Sequence, residues 1–168
     1  METRKWVAVA LEDIPSSAEI PVRGPDLTEE EEREAMAARA PRAAETWARA
    51  RERHAGRLDR KVHAVRRYLG IRSFGCNAWE APAGHLLVPE HDEVPYGQEE
   101  IFLVVKGRAR FTCDGKEVEL GPGELVYATP EVVREAVALE TPTLLFLVGG
   151  VPGQPYSPPP WARDYRPT

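Results

Sequence analysis

Cysteine is scarce: Cys76 and Cys113 are the 2 in 168 residues. Two cysteines build no disulfide framework and their spacing fits no zinc site, so both are expected to be reduced, buried thiols of a cytosolic protein. Long apolar runs are missing as well. At the N-terminus the stretch "WVAVAL", Trp6 to Leu11, meets Glu12 and Asp13 at once and is too short for a secretion signal or a membrane span. A cytoplasmic location and no membrane partner are the expectations. Strong charge of one sign is also lacking, the net charge being -5, which argues against a nucleic-acid partner. With no nucleotide-binding glycine loop and no nucleophile elbow, phosphoryl transfer and serine or cysteine hydrolysis have no support.

What is present is uneven. Residues 1 to 75 hold 15 Lys and Arg against 13 Asp and Glu, while residues 76 to 168 hold 7 against 14. The length suits one main domain with an extension. In "DLTEEEEREAMAARA", Thr28 and Glu31 make a capping box, so a helix is expected from about Glu29. Pro41 suits the first turn of a second helix, on which Trp47, His54, Leu58, Val62, Val65 and Leu69 form one apolar stripe up to a stop at Gly70. This second helix is basic, and the acidic second half of the chain is a candidate intramolecular partner for it.

Beyond Gly70 the texture changes. Short apolar stretches at 71–79, 84–89, 100–106, 108–113, 116–120, 124–129, 134–139 and 142–148 are separated by Gly, Pro and Asp, which predicts eight strands in a sandwich or barrel. Asp114-Gly115 supplies the residues that a type I′ hairpin needs. The tail after residue 150 is too rich in proline to pair in a sheet and is expected to run as an extended arm, with Trp161 as its anchor.

Two acids, Glu99 and Glu100, stand in front of the apolar run "IFLVV". A two-residue period puts Glu100, Phe102, Val104 and Lys106 on one strand face and Ile101, Leu103 and Val105 on the other. Both faces are apolar, so both are expected to be covered: one by the barrel interior, the other by a helix, a second sheet or a partner subunit, which gives a motive for a homodimer.

Glu100 followed by six residues and Gly107 resembles the end of the first cupin motif, which reads glycine, five residues, His-x-His, three or four residues, glutamate, six residues, glycine. The stretch "DGKEVELGPGELVYATPEVVREA" resembles the second motif, with Gly115 opening a strand, Gly123 closing a Gly-Pro-Gly turn and Glu124 in the acidic position. The resemblance covers residues 72 to 150. It implies a mainly β fold, a single cupin-like double-stranded β-helix (jelly-roll) barrel at 71–150, between an N-terminal strand and helical extension at 1–70 and a proline-rich arm at 151–168.

In cupins two histidines and the glutamate of the first motif, with one histidine of the second, hold a divalent metal. Here Glu93 or Val94 stands where the first histidine of the pair belongs and Pro95 or Tyr96 where the second does, and Arg134 stands where the late histidine belongs. His91 and Glu93, two residues apart on one strand face, are the stand-ins, which gives His91, Glu93 and Glu100 as the metal set for Fe, Mn, Ni or Zn. Arg134, Tyr127 and Phe102 are the candidate substrate-binding residues: a fork of donors for a carboxylate or phosphate, a hydroxyl, and an aromatic on the face of Glu100. Glu99 and Asp92 are read as solvated, and His54, His63 and His85 as structural.

A buried Glu100 needs a counter-charge. Its partner is either a metal held with His91 and Glu93 or the guanidinium of Arg134, and the sequence leaves both open. The functional expectation is a cupin-domain protein that binds a small anionic molecule in the barrel, with metal-dependent oxidation or isomerisation as the associated chemistry. The alternative is a metal-free binding or interaction module without catalysis.

Overall fold

A computed structural model of the chain describes residues 6–17, 45–46 and 48–156. The helix expected from Glu29, Trp47 and the tail with Trp161 lie outside the described residues. Among the described residues, ten strands form two antiparallel sheets: β1 (Ser16–Ser17), β2 (Lys61–His63), β3 (Gly75–Ala81), β4 (Leu86–His91), β5 (Glu99–Lys106), β6 (Ala109–Cys113), β7 (Lys116–Leu120), β8 (Leu125–Ala128), β9 (Arg134–Ala138) and β10 (Thr143–Gly150). The larger sheet has the order β1-β2-β3-β10-β5-β8 and the smaller β4-β9-β6-β7. The eight strands expected after residue 70 are all present, and the fold is a mainly β jelly-roll barrel. No helix among the described residues is long and apolar enough to cross a membrane.

The inner faces of the sheets share one core, in which Phe102, Val104 and Leu145 of the larger sheet meet Phe111, Val88 and Ala136 of the smaller. Phe102 and Phe111 have ring centroids 5.6 Å apart at an interplanar angle of 59°, a tilted arrangement that adds about 0.5–1.5 kcal/mol to their burial. Between β6 and β7, Asp114 and Gly115 both take positive φ, 48° and 76°, as the hairpin requires. Gly107, the last residue of the first motif, has φ of 71°. A Cβ there would lie 2.6 Å from the Pro142 carbonyl oxygen and 2.7 Å from Thr143 Oγ1, so only glycine lets the β5–β6 turn pass so close to the start of β10.

Three expectations need correction. The second helix does not run to residue 70: helical residues 48–53 (α1) end in a turn at Gly56, with φ of 73°. The chain then passes through β2 to a short helix, α2 (Val65–Leu69), capped by a left-handed Gly70. Val62 and Val65 are buried as the stripe required, but from a strand and a separate helix, because pairing Val62 with Trp79 of β3 outcompetes helix continuation past a glycine.

The outer face of the larger sheet is only partly covered. Ile14, Val65, Leu69 and their neighbours pack over β3 and β10, but over β5 and β8 Ile101, Val105 and Tyr127 remain exposed. Lys106 also changes face: a register shift in the β5–β10 pair sets it opposite Leu144 and Val104 opposite Leu145, which turns it outward beside Leu144.

The smaller sheet carries the basic helix on its outside. Arg53 of α1 donates to Glu90 of β4 and, at 3.2 Å, to Glu135 of β9, while His54 Nε2 lies 3.2 Å from Glu135. The acidic barrel is thus the partner of the basic segment. The structural readings of the other histidines hold as well. His63 Nδ1 lies 3.0 Å from the Ile14 carbonyl, and the Asp59 N–H donates to His85 Nδ1 at 3.1 Å.

Candidate functional site

Four strand ends and one loop meet where the two sheets approach. His91 closes β4, and its cross-strand partner is Arg134, which opens β9. Glu100 is the second residue of β5, paired with Ala128 of β8 and with Gly149 of β10. Glu93 lies in the loop after β4, fixed where its N–H donates to the Pro130 carbonyl and its own carbonyl accepts from Tyr96 and Gly97. Gly149 leaves room for Glu100: a Cβ there would sit 3.3 Å from Glu100 Cγ.

The geometry puts His91 Nε2 3.6 Å from Glu100 Oε2 and 3.7 Å from Glu93 Oε1. One donor atom from each of the three residues lies within 4.8 Å of the others. The His91 Nδ1–H donates to the Pro89 carbonyl at 2.6 Å, which aims Nε2 at the two carboxylates. Such an outer hydrogen bond is what orients a metal-ligating histidine. Arg134, fully buried, donates to Glu100 Oε2 from Nη2 at 2.7 Å and Nε at 3.2 Å, and from Nη1 to the Val132 carbonyl at 2.8 Å. Gln98 Nε2 donates to Glu93 Oε2 at 3.3 Å. Gln98 was missed in the sequence, although the two-residue period places it on the face of Glu100.

The titration behaviour follows from this crowding. Burial, and then the charge of Glu100, push the Glu93 carboxyl up to about 7 against the pull of His91 and Arg134. Burial would also raise Glu100, but His91 and Arg134 outweigh it and hold Glu100 below the usual carboxylate range. Burial would lower His91, yet the adjacent Glu100 carboxylate outweighs it and raises the imidazole.

This donor set fits a divalent first-row metal. One imidazole nitrogen and two carboxylate oxygens suit iron, manganese or zinc, and separations of 3.6 and 3.7 Å are those of two ligands sharing one ion at bonds of about 2.0–2.2 Å. Arg134 is not a further ligand, since guanidinium carries no lone pair to give.

Two of the expected substrate-binding residues stand elsewhere. Tyr127 pairs with Ile101 on the outer face, half exposed, and its O–H donates to Glu99 Oε1 at 2.7 Å. It does not join the cluster, because the β5–β8 register gives it the phase of Ile101 and not that of Glu100. Phe102 shares the inner face with Glu100 as expected, but is wholly buried against Phe111 as a core residue. Glu99, read as solvated, is half-buried with Tyr127 as its partner.

A closed pair of antiparallel sheets, with nitrogen and oxygen donors gathered at one end, defines the class as a jelly-roll domain with a candidate metal centre. Residues 80–149 match the cupin domain family, and the chain carries a cupin-type domain. No curated protein matches the chain. Among solved structures, KdgF from a Halomonas species aligns at 20% identity over 54% of this chain and 78% of its own, with a TM-score of 0.47. A sugar phosphate isomerase of the cupin superfamily from Silicibacter pomeroyi aligns at 19% identity over 56% of this chain and 61% of its own, TM-score 0.49. A cupin protein from Bacteroides fragilis aligns at 22% identity over 60% of this chain and 82% of its own, TM-score 0.49.

Proposed function

We propose that this cupin-type domain holds one divalent metal ion with His91, Glu93 and Glu100 and binds a small anionic molecule beside it. The observation that carries the reading is the convergence of one imidazole and two carboxylates within 4.8 Å, at a place where, among the described residues, Arg134 is the one guanidinium or ammonium bonded to them. With Glu93 and Glu100 both ionised, as metal ligation requires, two carboxylates against one guanidinium leave one negative charge, which favours a divalent cation. With the cation bound, the balance becomes one positive charge, which favours an anion. A metal there supplies Lewis-acid polarisation of a ligand oxygen, the element that oxidation or isomerisation chemistry shares. The chain's own part is positional: Arg134 fixes Glu100, Pro89 orients His91, and Gln98 and the Pro130 carbonyl fix Glu93.

A second reading has its own observation. The Arg134 guanidinium already neutralises Glu100 at 2.7 Å, so the domain is consistent with a metal-free binding module. Thermal melts of metal-loaded and chelator-treated protein against small carboxylates and phosphates separate the readings. Stabilisation only in the loaded protein supports the first, equal stabilisation in both supports the second, and none in either contradicts anion binding.

A further inference from the structure

β4 is the edge strand of the smaller sheet, joined to it through β9, and the join is irregular. Leu86, Val88 and His91 face Val137, Ala136 and Arg134, with a register shift in each interval. Each shift gives β4 one more residue than β9 and interrupts the ladder. Pro89, in the second interval, has no N–H to give. The pair His91 and Arg134 therefore stands beyond a broken stretch of ladder.

The N-terminal segment supplies further holds on β4. At the start of the strand the Leu86 N–H donates to the Arg57 carbonyl at 2.9 Å, and Arg60 Nη1 donates to the Leu87 carbonyl at 2.6 Å. At its end one guanidinium reaches both strands: Arg53, at the close of α1, donates from Nη1 to Glu90 Oε2 and from Nη2 to Glu135 Oε1 at 3.2 Å. Glu90 directly precedes His91, and Glu135 directly follows Arg134. Strand alternation turns the two acids out toward α1 and the two site residues into the barrel. The Glu135 side chain is 9% exposed, and its second oxygen lies 3.2 Å from His54 Nε2.

We propose that Arg53 is a positioning residue for the centre formed by His91, Glu93 and Glu100. Its planar fork binds one carboxylate on each strand, across the interval where the ladder is interrupted. It thereby sets the spacing of the two backbones from which His91 and Arg134 enter the barrel, and Arg134 in turn holds Glu100. Arg53 acts from the outer face of the sheet, through the main chains of β4 and β9. The inference rests on the metal reading of the cluster.

Titration calorimetry of the full chain with Mn²⁺ tests it, with circular dichroism to confirm folding. At 44% side-chain exposure, Arg53 can be exchanged without opening the core. Arg53→Met is expected to weaken Mn²⁺ binding about fivefold. Removing a positive charge by itself favours cation uptake, so a loss has the sign of misplaced ligands and not of electrostatics. Arg49→Met is the control: Arg49 meets Glu90 at 3.8 Å from the same helix but forms no ion pair with Glu135. Its variant is expected to stay within about twofold of wild type. Arg53→Lys, which returns a cation without the fork, is expected to regain part of the affinity. No uptake by the wild type overturns the metal reading and this inference with it. Uptake that Arg53→Met leaves unchanged or tightens, an Arg49→Met loss as large as that of Arg53→Met, or a lysine variant no tighter than the methionine one overturns this inference alone.

Discussion

The Arg134 guanidinium grips one oxygen of Glu100 twice, from Nη2 at 2.7 Å and Nε at 3.2 Å, and so ties the first residue of β9 in one sheet to the second residue of β5 in the other. Every side chain of the candidate site is arranged around that bond. His91 faces the same Glu100 oxygen at 3.6 Å, and Glu93 faces His91.

Removing the cation leaves a buried carboxylate without its partner. Arg134→Met is expected to destabilise the domain by about 3 kcal/mol or more in urea denaturation, since breaking a buried pair costs about 3–5 kcal/mol. Adding Glu100→Gln is expected to recover part of that loss. A single variant within about 0.5 kcal/mol of wild type would mean that water satisfies Glu100.

Gly107→Ala forces a Cβ to 2.6 Å from the Pro142 carbonyl and keeps φ at 71°. The expected cost is about 2–3 kcal/mol, from the strained backbone and the displaced start of β10 together. An unchanged urea midpoint contradicts the close approach.

In chelator, pH acts on the site in a definite direction. Glu93 has its carboxyl raised to about 7, so the stability it contributes is full below the ordinary carboxylate range near 4.5 and is lost as pH rises through 7. Glu93→Gln carries no such loss. Between pH 5 and pH 8 its melting temperature is expected to fall less than that of the wild type, by on the order of 5 °C. Parallel curves for the two proteins contradict the burial of Glu93 beside Glu100.

Tyr127→Phe removes a hydroxyl that bonds Glu99 on the outer face. Metal affinity measured by titration calorimetry is expected to stay within about twofold of wild type, because the ring belongs to the opposite side of the sheet. A loss of tenfold or more places Tyr127 at the cluster.

Much of this was legible in the sequence. The eight strands after Gly70 were marked by Gly, Pro and Asp between short apolar stretches, and the Asp114-Gly115 turn by its residue types. The meeting of Glu100 with Arg134 followed from strand period and motif position, whereas Glu93 reaches His91 not from a shared strand face but from the loop after β4, where its backbone bonds to Pro130, Tyr96 and Gly97. What failed did so for non-local reasons. Tyr127 changed face because its phase is set by pairing with Ile101, and Lys106 because of a register shift across from Leu144 and Leu145; neither pairing leaves a mark on one strand's own sequence. The stripe from His54 to Leu69 suited a helix by spacing, but β3 offered Val62 and His63 a strand to pair with, and Gly56 made the break cheap. Coverage of half the outer face by Ile14 and its neighbours depends on contacts some fifty residues apart in sequence.

Titration calorimetry of chelator-treated protein with Mn²⁺, run in parallel on Glu93→Gln and His91→Ala, tests the central claim most directly. One ion per chain is expected for the wild type, weakened about tenfold or more in each variant. No saturable uptake by the wild type, or equal affinity in all three proteins, contradicts a metal centre at His91, Glu93 and Glu100.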